Sequence, residues 1–203
     1  NKKAVSMQEF EMAKDKVMMG PERKSLAMSK EEIKLTAYHE AGHALVAHYT
    51  PGSDPIHKAT IIPRGRALGL VMRLPERDQV SVSRQKLHAD LMVAMGGRIA
   101  EELTFGREKV TTGASSDIKM ATDMARKMVS EWGLSDKLGF QAFKMTNDSP
   151  YAGSESSNFS EKTAEIIDAE VKKLLDDSYK KTETFLKRHE DKLKLLAESL
   201  LEH

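Results

Sequence analysis

Apolar residues recur every three or four positions through most of the chain, which is the spacing of one face of an α-helix. The segment 83–106 shows the pattern clearly, since one face carries an apolar set made of Leu87, Leu91, Ala94, Met95 and Ile99. The same spacing predicts helices over residues 6–19, 31–49, 83–106, 114–133 and 161–189, and a shorter one from there to the end.

Two short segments interrupt the helical pattern and are rich in residues that favour β-strands. They are HKATIIP at residues 57–63 and ALGLVMRLP at residues 67–75, and the turn-like PRGR at 63–66 lies between them. We therefore expect a mainly α fold, formally α+β, with a small β-sheet or hairpin and C-terminal helices.

The stretch KMTNDSPYAGSESSNFS at residues 144–160 is polar and contains Gly, Pro and Ser, which is typical of a flexible loop. It divides the chain into a core over residues 1–143 and C-terminal helices over 161–203. We expect both parts to belong to one domain, because 203 residues fit one medium domain with a helical appendage.

Composition excludes several classes of protein. The 32 basic and 31 acidic residues leave a net charge of +1, which argues against a nucleic-acid or anionic-membrane surface. The absence of cysteine excludes disulfides, cysteine zinc sites and a thiol nucleophile. No apolar run approaches the roughly 18 residues that span a bilayer. The chain begins without Met and ends in Leu-Glu-His, so we expect a fragment of a longer protein.

The segment AYHEAGHALVAHY at residues 37–49 carries the clearest chemistry, because HEAGH matches the pattern H-E-x-x-H. His39 and His43 are four residues apart, so both rings project from one face of a helix and can reach one zinc ion. Glu40 is placed to take a proton from a water at the metal. Burial of these three side chains among Ala, Val and Leu is costly unless they are paired or bind a metal.

A catalytic zinc needs a third protein ligand, and no further histidine follows at the required spacing. Asp117 is the first choice, since it shares a helix face with Met120 and Met124 and is expected to point toward the core. Its alternative role is to cap its own helix, although Ser115 and Ser116 suit that role better.

Glu101 and Glu102 are the rival ligands, on a helix whose Gly96-Gly97 pair permits close packing against a neighbour. One of them could instead hold a zinc-bound histidine by its other ring nitrogen. The remaining histidines have no partner at a suitable spacing and are interpreted as ordinary residues: His48, His57, His88 and His189.

A second function class remains open, in which the zinc site is closed and structural and the long C-terminal helices hold a ring together. A structural site needs a fourth protein ligand, such as His57 or Glu101. A nucleic-acid or membrane-surface binder is disfavoured by the near-zero net charge.

Several motifs together resemble the FtsH family of membrane-anchored AAA+ zinc metalloproteases, over nearly the whole chain from Val5 onward. In chain order they are HEAGHALVAHY, IIPRGRALG, GGRIAEELTFG, TTGASSDIKMATDMAR and MVSEWGLSDKLG. The resemblance covers the peptidase domain alone, and it implies a zinc-dependent endopeptidase of protein quality control. ATP would act only in an ATPase module that this chain lacks.

The resemblance also implies a site and an assembly. One zinc per chain would be bound by His39, His43 and Asp117, with Glu40 as catalytic base and Glu101 beside the metal site. Unfolded or damaged proteins would lie along a strand that contains Leu68, Gly69, Leu70 and Val71. The domain would form a homohexamer, soluble by itself, whose parent is held in the bacterial inner membrane by a missing N-terminal segment and faces the cytoplasm.

Overall fold

Six helices and one two-stranded antiparallel sheet make up the described part of the computed structural model, which covers residues 4–23, 26–65, 67–143 and 159–202. The elements in chain order are α1 Met7–Met19, α2 Lys30–Tyr49, β1 Ile56–Thr60, β2 Leu70–Arg73, α3 Arg84–Phe105, α4 Ser115–Ser130, α5 Glu161–Arg188 and α6 Glu190–Glu202. Short 3₁₀ turns at Arg107–Lys109 and Thr112–Ala114 connect α3 to α4.

The mainly α fold with a small hairpin is therefore confirmed, and the strands are shorter than the sequence pattern predicts. β1 ends at Thr60 and β2 begins only at Leu70. Leu68 and Gly69 consequently lie in the bend before β2 rather than in the strand itself. Most of the predicted flexible loop, residues 144–158, lies outside the described residues.

Local chemistry sets the start of α2, the helix that carries HEAGH. The Ser29 hydroxyl accepts a hydrogen bond from the Glu32 N–H, and the Glu32 carboxylate accepts one from the Ser29 N–H at 2.8 Å. This reciprocal pairing satisfies two backbone donors that a helix start otherwise leaves free. Ser83 and Ser160 cap α3 and α5 in a similar way with their side chains.

α2 is the central element of the fold, and every residue from Thr36 to Ala47 is buried. It packs mainly against α3 and α6, while α3 also contacts α4 and α5. The approach of α2 to α3 depends on glycine, because a Cβ on Gly42 would lie 2.4 Å from the carbonyl oxygen of Gly96. The predicted close packing at Gly96-Gly97 is thus confirmed.

α1 is attached to the hairpin by charged groups rather than by apolar packing. Lys58 donates to the Asp15 carboxylate and thereby lowers the pKa of Asp15 below its usual value. Arg64 donates to the Gly20 carbonyl at 3.2 Å and to Glu22 at 2.7 Å. The large apolar residues of α1 remain exposed, among them Met7, Phe10, Met12, Val17 and Met18.

None of the helices in the described ranges combines the length and the hydropathy that crossing a bilayer requires.

Candidate metal centre

Two histidines of α2 and one aspartate of α4 converge at a single point. The Nε2 atoms of His39 and His43 lie 3.0 Å apart. Asp117 Oδ2 is 3.3 Å from His39 Nε2 and 3.5 Å from His43 Nε2. Among the described residues these three form a group that can hold one metal ion. The two histidine rings lie close together because they are one helical turn apart, whereas Asp117 belongs to the first turn of α4.

The opposite ring nitrogens fix the direction in which the histidines can bind. His43 Nδ1 donates to the carbonyl oxygen of Val93 at 2.7 Å, and His39 Nδ1 donates to Glu101 Oε1 at 2.7 Å. Carbonyl and carboxylate oxygens only accept, so each Nδ1 carries a proton, and each Nε2 presents a lone pair when its ring is neutral. Two nitrogen lone pairs and a carboxylate facing one another fit a zinc ion, which takes nitrogen and oxygen ligands.

Glu101 links the metal-binding face of α2 to the segment that leads into α4. Its side chain is completely buried, and its second oxygen accepts from the Thr111 N–H at 3.2 Å. A buried carboxylate needs such partners because it has lost its hydration. Glu101 therefore orients His39 and, through the backbone at Thr111, holds the segment that precedes Asp117.

Glu40 lies beside the three donors but is not one of them. Burial raises the pKa of its carboxyl above the usual value, although the nearby His43 and His39 rings act in the opposite direction. Gly69 allows this placement, because a Cβ there would lie 2.6 Å from Glu40 Cγ and 2.7 Å from Oε1. The carboxyl is thus held beside the metal-binding atoms, against the backbone that leads into β2.

The pKa values of His39 and Asp117 depend on their neighbours in the centre. Burial disfavours a proton on His39, but the hydrogen bonds with Asp117 and Glu101 outweigh burial and raise its pKa to about 9. Burial likewise opposes ionisation of Asp117, yet its hydrogen bonds with His39 and His43 lower its pKa well below the usual value. Both shifts have one cause, since the centre attracts positive charge between its ring nitrogens and its carboxylate.

A cleft of about 630 Å³ opens above these donors. α2 forms its floor with Thr36, His39, Glu40 and His43. One wall consists of residues 67–71 before and within β2, and the opposite wall of residues 111–113 and the start of α4. The cleft is therefore an open groove between a strand and a helix, with the metal-binding atoms at its base.

The structure corrects one expectation about α4. The serines do not cap the helix, because its N-cap position is Ala114 and Ser115 and Ser116 already belong to the first turn. Asp117 lies one turn before Ala121, on the side of the helix that carries the buried residues Ala121, Ala125 and Met128. Its side chain is 21% exposed and faces His39 and His43 in the cleft.

The rival ligands occupy other positions. Glu101 faces the far nitrogen of His39, and Glu102 accepts a hydrogen bond from Tyr179 instead. His57 lies near Glu11 and Asp15 of α1. Within the described ranges the group around His39 has three donor residues, so the fourth ligand of a closed structural site is not among them.

Three residues of the centre carry no signal in the sequence pattern. Val93 contributes only its carbonyl oxygen, which any residue offers. Gly97 leaves the space in front of the rings, since a Cβ there would lie 2.5 Å from His39 Nε2 and 2.6 Å from His43 Nε2. Thr111 acts through its N–H. The doublet Gly96-Gly97 indicated close packing, but not that Gly97 borders the metal-binding atoms.

Sequence comparison matches the chain to one peptidase family and to several named relatives. The profile of peptidase family M41 matches residues 26–203. The chain is 58% identical over 204 residues to the ATP-dependent zinc metalloprotease FtsH of Rickettsia bellii (strain RML369-C), in an alignment of 100% of this chain and 32% of that protein. Identity to the protein of the same name from Caulobacter vibrioides (strain NA1000 / CB15N) is 53% over 206 residues, with 100% and 33% covered.

A more distant relative shows the same coverage. The ATP-dependent zinc metalloprotease FtsH of Photobacterium profundum is 47% identical over 206 residues, with 100% of this chain and 30% of that protein aligned. The chain therefore spans about a third of the length of the curated relatives it matches.

Proposed function

Because the chain belongs to peptidase family M41, we propose that it is a zinc-dependent endopeptidase that cleaves unfolded or damaged polypeptides. The observation that carries the proposal is the meeting of His39, His43 and Asp117 beside a buried Glu40 at the base of an open cleft. Two nitrogens and one carboxylate give three protein ligands, which is the number that leaves a zinc ion a free coordination position for catalysis.

His39, His43 and Asp117 would hold the ion, which supplies Lewis-acid polarisation of the scissile carbonyl and a lowered water pKa. Glu40 accepts a proton from the attacking water as the oxygen–carbon bond forms. The same carboxyl then donates that proton to the leaving nitrogen as the carbon–nitrogen bond breaks. Its raised pKa suits both transfers, because the base must also serve as an acid.

Substrate binding is proposed along the wall that contains Leu68, Gly69, Leu70 and Val71, all of which line the cleft. Within the described residues β2 pairs with β1 alone, so its other edge is available to an extended peptide. Main-chain pairing with a strand edge accepts many sequences, which suits an enzyme that degrades diverse proteins.

The wider context is also a proposal. The relatives are named as ATP-dependent enzymes and this chain aligns with about a third of each, so ATP use is assigned to another part of the parent protein. The resemblance to membrane-anchored proteases supports a homohexamer in the bacterial inner membrane, with this domain on the cytoplasmic side.

Replacement of Glu40 by Gln tests the proposed function. The zinc-loaded Glu40→Gln variant should hydrolyse an unfolded protein about 10²–10⁴-fold more slowly while it keeps its zinc. Glu31→Gln is the matched control, because Glu31 is exposed on the same helix. Equal hydrolysis by Glu40→Gln and wild type would exclude Glu40 as the base, and no hydrolysis by the zinc-loaded wild type would favour a structural role.

A further inference from the structure

The cleft does not end at Asp117 but continues along the exposed face of α4. A second, shallower groove of about 430 Å³ follows that helix. It shares Ser116 and Met120 with the cleft above the metal-binding atoms. The residues that line it are Ser116, Lys119, Met120, Asp123, Met124, Lys127 and Trp132. We call this surface the α4 groove.

The spacing of these residues explains the shape of the α4 groove. From Ser116 to Lys127 each residue has a partner three or four positions away, so they form a single stripe along the helix. The stripe is about 16 Å long at 1.5 Å per residue. That length matches about five residues of an extended peptide at 3.3 Å each. A polypeptide that leaves the cleft past Asp117 therefore has room to continue over this surface.

The chemistry of the α4 groove favours an apolar occupant. Met120 and Trp132 are each 47% exposed, although both are large and apolar. Methionine adapts its shape to different partners, and tryptophan provides a rigid surface that often dominates binding. Lys119 and Lys127 outnumber Asp123 on the rim, so the surface carries a net positive charge.

We infer that the α4 groove is a substrate subsite that accepts a large apolar side chain, aromatic or aliphatic, of the polypeptide held in the cleft. The inference rests on the proposed function, because the polypeptide must first lie between β2 and Asp117. The shared residues Ser116 and Met120 make substrate the occupant, since they line both the groove and the cleft. An acidic residue next to the apolar one is favoured by the two lysines.

The chain offers a direct reporter for this subsite, because Trp132 is its single tryptophan. The experiment uses the zinc-loaded Glu40→Gln protein, which should cut peptides about 10²–10⁴-fold more slowly and so keep them bound during the measurement. Peptides that differ only by Phe or Ser at successive positions are added while tryptophan emission is recorded. At one position the Phe peptide should shift the emission to shorter wavelength and bind about tenfold more tightly than the Ser peptide.

Two variants of the same protein sharpen the result. Met120→Ala should weaken binding of the Phe peptide about threefold or more, because it removes one side of the groove. Leu195→Ala is the control, since Leu195 is 67% exposed on α6 and does not line the groove. Its affinity for the Phe peptide should equal that of the parent protein.

The outcomes separate this inference from the proposed function. If the wild type hydrolyses peptides but no peptide alters the Trp132 emission of Glu40→Gln, the subsite is excluded and the protease remains. An emission shift without any hydrolysis by the wild type contradicts the protease and, because no substrate is then cleaved, also overturns the groove as a substrate subsite. Emission that changes only with protein concentration would place a second copy of the chain in the groove and overturn the inference.

Discussion

The Nε2 atoms of His39 and His43 face each other across 3.0 Å, although neither carries a proton when both rings are neutral. Val93 and Glu101 fix this arrangement by accepting the Nδ1 protons on the far side of the rings. Two lone pairs at this distance repel each other unless a positive charge lies between them. The hydrogen bonds around the rings therefore prepare the centre for a cation.

Glu101→Ala should weaken zinc binding about 10–100-fold, because it removes the acceptor that orients His39. It also leaves the His39 Nδ1–H and the Thr111 N–H without their partner at a completely buried position. Competition with a chelator of known affinity measures the change. Glu102→Ala is the neighbouring control and should leave zinc affinity unchanged, since Glu102 accepts a hydrogen bond from Tyr179 and none from His39 or His43. Equal losses in both variants would contradict the orienting role of Glu101.

Alanine substitutions of two glycines at the contact between α2 and α3 should affect different properties, zinc binding in one case and stability in the other. Gly97→Ala places a methyl group 2.5 Å from His39 Nε2, so it should abolish zinc binding. Gly42→Ala meets the Gly96 backbone at 2.4 Å and should destabilise the fold by about 2 kcal/mol. Urea unfolding with EDTA present separates the two effects, because Gly42→Ala meets backbone and should then lose more stability than Gly97→Ala, whose methyl group meets ring atoms that can shift. Normal zinc content in Gly97→Ala would contradict this account.

Gly69→Ala should lower kcat about 10²-fold without loss of zinc, because the new methyl group displaces the Glu40 carboxyl. The same substitution in a Glu40→Ala background should reduce the remaining activity much less, since Ala lacks both the Cγ and the carboxyl oxygen that the methyl group would meet. Gly113→Ala is the control within the cleft, where the nearest atom to a Cβ is Thr111 Oγ1 at 3.2 Å. Additive effects of Gly69→Ala and Glu40→Ala would refute direct contact.

The stability of chelator-treated protein should fall as the pH rises from about 6.5 to 9. The pKa of His39 is raised to about 9 in the fold, whereas an unfolded histidine titrates near 6.5. Its protonation therefore stabilises the fold fully below about 6.5, and this contribution disappears as the pH approaches 9. Zinc-loaded protein should behave oppositely, because zinc no longer competes with that proton at higher pH. Thermal midpoints at both pH values, with and without EDTA, test the opposite slopes.

The sequence reveals those parts of the fold and the site that depend on periodic patterns or on chemistry carried within one segment. Helical spacing predicts α2 and α3 closely, and His39, Glu40 and His43 stand out because polar groups interrupt an apolar helix. Asp117 could be selected as a candidate from its helix face. Hydrophobic spacing could not show that this face meets His39 and His43 at the base of a cleft.

Contacts between distant segments could not be predicted in the same way. Gly69 lies against Glu40, and Gly97 against His39, because separate elements meet in space at those points. The Val93 carbonyl has no side-chain signature at all. The strand bounds were also missed, since the bend at Leu68 and Gly69 continues the apolar pattern of β2.

The content of zinc per chain in wild type and in Asp117→Ala tests the central claim most directly. Elemental analysis after dialysis should give about one zinc for the wild type and almost none for the variant, because two histidines alone hold zinc weakly. Asp123→Ala serves as the control, since Asp123 is exposed on the same helix outside the metal-binding group, and it should keep its zinc. Full zinc content in Asp117→Ala would contradict the His39, His43 and Asp117 centre.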